Sequence, residues 1–306
     1  MSFYIGVDGG GTKTVYGLFD EHKMLLAEHT GPGSNHEGLR GGIPAAAQVL
    51  AEGIDSLLAP RGLTTGDIDA SLMGLAGMDH PWQHREMHRE LTARGFQNLR
   101  VVNDGFIAVK AGVGAGAGIG YNCGTGTCCN SVDDEGTLRQ IGGLGGLTGD
   151  VGGGWWVATE AFRVAYDDLM LGRFSSRITA DLAAEYGVTD PDRWMEAVGK
   201  MGEEPFRRFL IQSLFRAAEA GDEGALEVTE QMALRGARFI AGHLKRGTFR
   251  GDRVPVVLSG SIHLKTQNDG YLRRMQQAAE ELSGRSLRFL KLDKAPVWGC
   301  IYWLLE

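Results

Sequence analysis

The chain has 306 residues, enough for about two domains of ordinary size, with 43% hydrophobic and 23% charged residues as in globular proteins. Its formal charge of −7 and the lack of a basic run argue against a nucleic acid or an anionic membrane surface as partner. No apolar stretch approaches membrane-spanning length, residues 1–6 enter a strand pattern without a signal peptide, and four cysteines form no disulfide framework, so we expect a cytoplasmic protein.

The first third of the chain alternates strands with helices, which is typical of an α/β domain. Apolar and alternating patterns predict strands over residues 3–8, 14–19, 24–29, 70–74 and 99–103. The spacing of apolar residues predicts a helix over residues 44–58, and a polar helix is predicted over residues 81–94.

Glycine sets the middle of the chain apart. It accounts for 47 residues, and 17 of these lie between positions 105 and 154. Three short strands are predicted there, over residues 119–122, 128–132 and 138–141. Since neither a strict period nor a Ser/Pro-rich composition accompanies the glycine, we expect a folded backbone that contacts a ligand.

The last part of the chain is mainly helical. Helices are predicted between residues 155 and 247, over 268–282 and over 296–305, with strands over 254–258 and 287–290.

One internal repeat suggests that the fold is duplicated. Residues 5–8 and 11–14 are echoed, about 114 positions later, by residues 119–122 and 124–127. Each copy is a strand, a Gly/Thr turn and a second strand, so we expect two domains built on one plan.

The sharpest motif runs from Asp8 to Thr14. Three consecutive glycines turn backbone N–H groups towards a ligand and predict an anion cradle, to which Thr12 adds a hydroxyl and Lys13 a charge. Asp8 ends the preceding strand and is placed to hold Mg²⁺ through water. Because a strand follows instead of a helix, this is not a Walker loop.

Two further turns are candidates for the same ligand. Residues 124–127 repeat the Gly/Thr pattern; alone they fit a tight turn equally well, but paired with the first loop they indicate a second phosphate cradle. The small residues 259–261 could admit a flat adenine ring, although an ordinary strand-to-helix turn explains them equally well.

Asp104 follows the strand over residues 99–103. In α/β folds, active-site residues commonly lie at the carboxyl end of a strand, so Asp104 is a candidate catalytic carboxylate. Asp is also a frequent helix N-cap, and spacing alone fits both roles. His80, His84 and His88 share one predicted helix face, which we interpret as solvated and not as a metal site.

The chain resembles the superfamily of sugar kinases, heat-shock chaperones and actin. The two Gly/Thr loops correspond to the two phosphate loops of that superfamily, Asn103–Asp104 to its catalytic acid and residues 259–261 to its adenosine loop. Within this superfamily the chain resembles N-acetylglucosamine kinases of the BadF/BadG/BcrA/BcrD-type ATPase family over essentially its full length. Residues 34–36 match the sugar-loop motif of those kinases, and residues 75–79 resemble their Ser-Gly-Gly-Asp segment. Residues 143–150 resemble the glycine-rich stretch that supplies sugar hydroxyl contacts.

The resemblance implies an α/β fold of two duplicated actin-like (ribonuclease H-like) domains around a central cleft. Residues 1–114, completed by the helix at 294–306, would form the first domain, and residues 115–293 would form the second with a helical insertion. ATP and Mg²⁺ are the implied cofactors, and a homodimer is expected by analogy with the family.

The implied reaction is ATP-dependent phosphorylation of the 6-hydroxyl of an amino sugar, with N-acetylglucosamine first and glucosamine or N-acetylmuramate as alternatives. Asp104 would be the general base and would also contact the sugar. The other expected sugar contacts are Asn35, His36, Gly77, Gly145 and Asp150. The expected ATP contacts are Gly10, Gly11, Thr12, Lys13, Gly124, Thr125, Gly126, Thr127, Gly260 and Ser261.

Three residues depart from the family pattern around the sugar pocket: Leu144 between two glycines, Glu37 and Cys128. These departures leave the identity of the hexosamine open.

Two other functions are disfavoured by the sequence. An activator ATPase of a dehydratase or reductase needs well-separated cysteines for its iron–sulfur cluster, whereas three of the four cysteines here lie beside residues 124–127. A non-catalytic sugar sensor is disfavoured because only seven residues precede Asp8 and no zinc motif is present.

Overall fold

The first of two sheets is formed by the N-terminal part of the chain. A computed structural model describes residues 2–266 and 269–306. Strands β1 (Phe3–Gly9), β2 (Lys13–Asp20) and β3 (Leu25–Pro32) form an antiparallel meander, and β4 (Ala70–Leu75) and β5 (Leu99–Asn103) run parallel to β1. The strand order is β3-β2-β1-β4-β5.

The second sheet repeats this plan. Its strands are β6 (Gly118–Cys123), β7 (Thr127–Val132), β8 (Leu138–Gly142), β9 (Arg253–Ser259) and β10 (Ser286–Lys291). The first three form an antiparallel meander, β9 is parallel to β6, and β10 is parallel to β9. Read from β8 to β10, the order matches that of the first sheet, so the predicted α/β fold with a duplicated plan is confirmed.

Eleven α-helices among the described residues pack around the two sheets. They are α1 (Gly42–Leu58), α2 (Pro81–Ala93), α3 (Asp104–Val113), α4 (Gly154–Leu171), α5 (Arg177–Tyr186), α6 (Trp194–Lys200), α7 (Glu204–Glu219), α8 (Glu223–Arg246), α9 (Ser261–Lys265), α10 (Gly270–Ser283) and α11 (Val297–Leu304). Helices α1 and α2 pack beside the first sheet, whereas α8 and α10 pack together beside the second. The region predicted as helical between residues 155 and 247 thus consists of the five helices α4–α8.

Helices α3 and α11 lie between the two sheets. Helix α3 follows β5 of the first sheet yet packs on β6, β7 and β9 of the second, while α11 follows β10 and packs on β1, β4 and α3. A glycine in α11 permits this contact: a Cβ atom on Gly299 would overlap the carbonyl oxygen of Ile107 and lie 2.7 Å from the amide nitrogen of Ala111. The end of the chain therefore joins the N-terminal half.

Element boundaries differ from the sequence-based prediction by a few residues. Strand β1 continues to Gly9, which pairs with Thr14, and α1 starts two residues before the predicted position 44. The helix predicted from residue 268 begins at Gly270, and Asn268 lies outside the described residues. Among the described helices, none combines the length and apolar character needed to cross a membrane.

Candidate active site

The glycine loop forms the turn between β1 and β2. The N–H of Gly10 donates to the carbonyl of Lys13 at 3.0 Å, and the carbonyl of Gly10 accepts from the amides of Ser34 (2.9 Å) and Asn35 (3.3 Å). Residues 11–13 are exposed, and a Cβ at position 11 would meet nothing within 4 Å. The loop is thus fixed from behind and open in front, as an anion cradle requires.

Asp8 lies at the base of this loop. It lines a cavity of about 210 Å³ together with Gly10, Gly11, Thr12, Lys13 and Val15. Burial, with the nearby negative charge of Asp104, raises the pKa of Asp8 to about 7, although the Lys13 ammonium lowers it. The electrostatics at this position therefore favour an additional cation.

The residues around Asp8 fit a magnesium ion brought in by a polyphosphate. Mg²⁺ commonly uses one or two protein carboxylates plus phosphate oxygens and retained waters, and Asp8 supplies one carboxylate beside a loop of backbone donors. No group of three His, Cys, Asp or Glu side chains among residues 2–266 and 269–306 is arranged to hold a metal ion without such a ligand.

The turn at 124–127 packs against the loop at 259–261. Gly260 has a left-handed backbone (φ +86°), and a Cβ there would overlap the backbone of Cys123 and lie 2.6 Å from the nitrogen of Gly124. Only glycine allows these two loops to meet so closely. The structure therefore brings the second phosphate-loop candidate and the adenosine-loop candidate together.

Thr127 of the second loop is turned inward, as is Thr14 of the first, whose hydroxyl donates to that of Ser34 at 2.9 Å. The side chain of Thr127 is buried and its hydroxyl donates to the carbonyl of Val151 at 3.1 Å. Thr12 and Thr125 are exposed, as is Ser261. The hydroxyls that remain available to a ligand are therefore those of the exposed residues.

Asp104 occupies the first turn of α3, between the two sheets. Its neighbour Asn103 caps the helix, because Asn103 Oδ1 accepts from the amide of Gly105 at 2.9 Å. Burial raises the pKa of Asp104 to about 6; the amide of Gly105 opposes this rise, and the charge of Asp79 adds to it. Asp104 is therefore not the cap but a carboxylate tuned towards neutral pH, suitable for general-base chemistry.

Three of the expected sugar contacts lie together in the first half of the chain. Asn35 Oδ1 accepts from the amide of Glu37 at 3.0 Å and starts a single 3-10 turn that includes His36. A Cβ on Gly77 (φ +78°) would lie 2.7 Å from Asn35 Oδ1 and 3.0 Å from Cε1 of His36. His36 is buried, and its Nε2 lies 3.3 Å from Nε2 of Gln83.

Asp150 organises its own loop. Its Oδ2 accepts from the amides of Gly143 and Gly145, both at 2.8 Å, and its Oδ1 accepts from the hydroxyl of Thr148 at 2.9 Å. Both the carboxylate of Asp150 and the N–H of Gly145, two of the expected sugar contacts, are thus engaged within one loop. Leu144 and Leu147 project from this loop with 55% and 94% of their surface exposed.

Sequence reasoning did not single out Asp79 and Gln140. Asp79 Oδ1 accepts from Asn103 Nδ2 at 3.1 Å and from Gln140 Nε2 at 3.0 Å. This contact joins the loop after β4 to β8 of the other sheet, directly beside Asp104. The available signal is the resemblance of residues 75–79 to a Ser-Gly-Gly-Asp segment of the family, in which only Gly77 is an expected sugar contact.

The duplicated sheets and the paired glycine turns define the actin-like ATPase fold. The fold is shared with a candidate N-acetylglucosamine kinase from Chromobacterium violaceum, with a TM-score of 0.67 and 24% identity over 100% of this chain and 99% of that chain. A ROK hexokinase from Thermus thermophilus gives a TM-score of 0.59 and 20% identity, over 98% and 97% of the two chains. A likeness at this identity establishes the fold alone.

The chain belongs to the BadF/BadG/BcrA/BcrD ATPase family, whose sequence profile matches residues 5–286. It is 29% identical over 168 residues to the N-acetylmuramic acid/N-acetylglucosamine kinase of Clostridium acetobutylicum, covering 54% of each chain. It is 30% identical over 171 residues to the N-acetyl-D-glucosamine kinase of Dictyostelium discoideum, covering 52% of this chain and 53% of that one. The chain thus aligns with about half the length of these curated relatives.

Proposed function

We propose that the protein transfers the γ-phosphoryl group of ATP to the 6-hydroxyl of an amino sugar, with N-acetylglucosamine as the first candidate. The observation that carries this proposal is the position of Asp104, a half-buried carboxylate in the first turn of the helix between the two sheets and within electrostatic range of Asp8 at the glycine loop. Family membership and the kinase names of both curated relatives support it. N-Acetylmuramate is the second candidate, since it appears in the name of the Clostridium relative.

In this reaction Asp104 accepts the proton of the attacking hydroxyl. Phosphoryl transfer depends mainly on positioning and charge neutralisation, and the amides of the loop at residues 10–13 and Lys13 supply both on the nucleotide side. When bound, Mg²⁺ would neutralise phosphate charge, and Asp8 is the residue placed to hold it through water. We assign the second phosphate contact to residues 124–126 and the adenosine contact to Gly260 and Ser261.

On the sugar side we assign Asn35, His36 and Gly77 to orientation of the ring. Asp150 and Gly145 would contact the sugar only if their loop exchanged some of its internal hydrogen bonds for sugar hydroxyls. The remaining expectations also stay proposals: a cytoplasmic homodimer, with the two domains divided at residues 114/115 and 293/294.

The test is an assay of ADP release with MgATP and a panel containing N-acetylglucosamine, glucosamine, N-acetylmuramate and glucose. We expect ADP release that depends on an amino sugar and a product phosphorylated at the 6-position, identified by NMR. The Asp104→Asn variant should lose about 10²–10⁴-fold in kcat, the usual contribution of a general base, while still binding ATP.

Two results would refute the proposal. The first is ADP release that no sugar stimulates, which would instead fit an activator ATPase. The second is wild-type turnover by Asp104→Asn. A matched control is Asp67→Asn, since Asp67 lies in an exposed turn where it accepts from the amide and hydroxyl of Thr64.

A further inference from the structure

Asp79 connects the two sheets through a single oxygen atom. Its Oδ1 accepts from Nδ2 of Asn103 at the end of β5 and from Nε2 of Gln140 in β8. The two donors are 24 and 61 positions away from Asp79 in the chain and belong to different sheets. Loss of this one acceptor would therefore release both donors at once.

The backbone around Asp79 is held independently of its side chain. Oε1 of Gln83 accepts from the amides of Asp79 (2.9 Å) and His80 (2.7 Å). Because that oxygen already receives two N–H groups, the amide nitrogen of Gln83 is the atom facing Nε2 of His36. Gln83 and His36 are both buried, so the backbone at Asp79 is fixed by buried neighbours.

The contact reaches Asp104 through Asn103. The Asn103 amide group uses its oxygen to cap α3 at the nitrogen of Gly105 and its nitrogen to donate to Asp79. Asn103 is buried, with 6% of its surface exposed. With both ends of this amide engaged, the first turn of α3, which carries Asp104, is oriented by Asp79.

A second link runs from Gln140 to the same turn. Oε1 of Gln140 accepts from Nδ2 of Asn130 at 3.3 Å, and a Cβ on Gly105 would lie 2.6 Å from Cγ of Asn130. Asp79, Gln140 and Asn130 thus form one network that reaches Asn103 and Gly105, the residues on either side of Asp104. The charge of Asp79 acts on Asp104 as well, adding to burial in raising the pKa of the Asp104 carboxyl.

We propose that Asp79 is a positioning residue, which locks the turn carrying Asp104 to the second sheet through Asn103 and Gln140. This inference rests on the proposed phosphoryl transfer and adds a residue to its machinery. It implies that the base is correctly oriented only while the hydrogen bond between the two sheets is made. Asp79 therefore couples the relative position of the sheets to the reactivity of the site.

The test compares Asp79→Ala, Asp79→Asn, Gln140→Ala and the double variant Asp79→Ala/Gln140→Ala. We expect Asp79→Ala to lower kcat at least tenfold while KM for ATP stays within a factor of two. Asp79→Asn keeps one acceptor oxygen in place and should recover most of the lost kcat. The double variant should be no slower than Asp79→Ala, since both single changes break the same link. Asp67→Ala is the control.

A second measurement does not depend on turnover. Hydrogen exchange of the free proteins, followed by mass spectrometry over residues 100–110, should be faster in Asp79→Ala than in wild type or Asp67→Ala, because the amide of Gly105 loses a held cap. Unchanged exchange in this segment, kcat within twofold of wild type, or additive effects in the double variant would each overturn the inference. A wild-type protein without sugar-dependent turnover would refute the proposed function instead, and the exchange data would then decide the role of Asp79.

Discussion

Asp8 and Asp104 lie within electrostatic range of each other, and the charge of Asp104 acts on Asp8. Asp8 ends a strand of the first sheet and Asp104 begins the helix between the sheets. Burial and then the charge of Asp104 raise the pKa of Asp8 to about 7. Two neighbouring carboxyls with raised pKa values lower the stability of the fold and favour a ligand that brings a cation.

The rate should depend on pH through Asp104. The carboxyl must be ionised to accept a proton, and burial with the charge of Asp79 raises its pKa to about 6. We expect kcat/KM for the sugar to fall about tenfold for each pH unit below 6 and to be level between pH 7 and 8. The measurement is a rate profile from pH 4.5 to 8 at saturating MgATP, with each sample re-assayed at pH 8. A level profile down to pH 5 would contradict the assignment.

Removing the charge of Asp104 should stabilise the fold. A carboxyl whose pKa is higher folded than unfolded destabilises the protein above its folded pKa, and this penalty fades as pH falls through about 6. Asp104→Asn should therefore raise Tm at pH 7.5 and lose that advantage near pH 4.5. A gain of 1 kcal/mol corresponds to about 2–4 °C in a protein somewhat smaller than this one. The readout is calorimetry at both pH values.

Asp133→Asn is the matched control for this stability change. Burial alone would raise the pKa of Asp133. The amides of Thr248, Thr137 and Glu135 donate to its carboxylate and hold the pKa below its usual range. Its charge is therefore stabilising at pH 7.5, and its replacement should lower Tm. Shifts of the same sign in both variants would contradict the electrostatic argument.

The contact between α3 and α11 should not tolerate a methyl group. Gly299→Ala would push its Cβ into the backbone of α3 at Ile107 and Ala111, at a cost of about 1–3 kcal/mol or more in the free energy of unfolding. Gly199→Ala is the control, since Gly199 is an exposed helix residue with nothing within 4 Å and Ala favours a helix by up to about 1 kcal/mol. Urea unfolding of both variants measures the difference, and equal midpoints would disprove the packing argument.

Cys128 should report on sugar binding. It pairs with Gly142 in β8, and its thiol lies within electrostatic range of Asp104, Asp79 and Asp150, while burial raises its pKa well above the usual range. The other three cysteines are buried, whereas Cys128 is half-buried. We expect slow labelling of Cys128 by iodoacetamide at pH 8.5, with further slowing by the sugar substrate.

The labelling experiment has two internal controls. Peptide mapping separates Cys128 from the buried Cys300, which should stay unlabelled until the protein unfolds. MgATP alone should protect Cys128 less than the sugar does. Equal labelling with and without saturating sugar would place the pocket elsewhere.

Local patterns predicted the strands and turns well, because they depend on neighbouring residues. Alternation and the Gly/Thr clusters were sufficient to place the β1–β2 and β6–β7 turns and to suggest their duplication. The role of Asp79 could not be found this way, since its partner Gln140 is 61 residues away and belongs to another sheet. Register between distant elements decides such contacts, and a single sequence carries little information about it.

The direction in which a side chain points also could not be predicted from the sequence. Thr127 has the residue type and spacing of a phosphate contact, yet its hydroxyl donates to Val151 because its position in β7 faces the interior. Asp150 likewise has the expected spacing, while its carboxylate accepts from amides of its own loop. Spacing predicted both residues as ligand contacts, but the direction of each side chain follows from the strand pairing and loop closure.

The exchange of helices between the sheets restricts how the molecule can deform. The backbone runs from the first sheet to the second through α3 and residues 114–117 and leaves the second sheet at residues 292–296, and Glu306 bonds to both Lys110 and the amide of Gly116 beside the first passage. A body attached to another at two points retains a single rotation, about the line through those points. We therefore expect rotation about that line to be the easiest deformation, whereas sliding of one sheet past the other would break the packing of α3 on β6, β7 and β9.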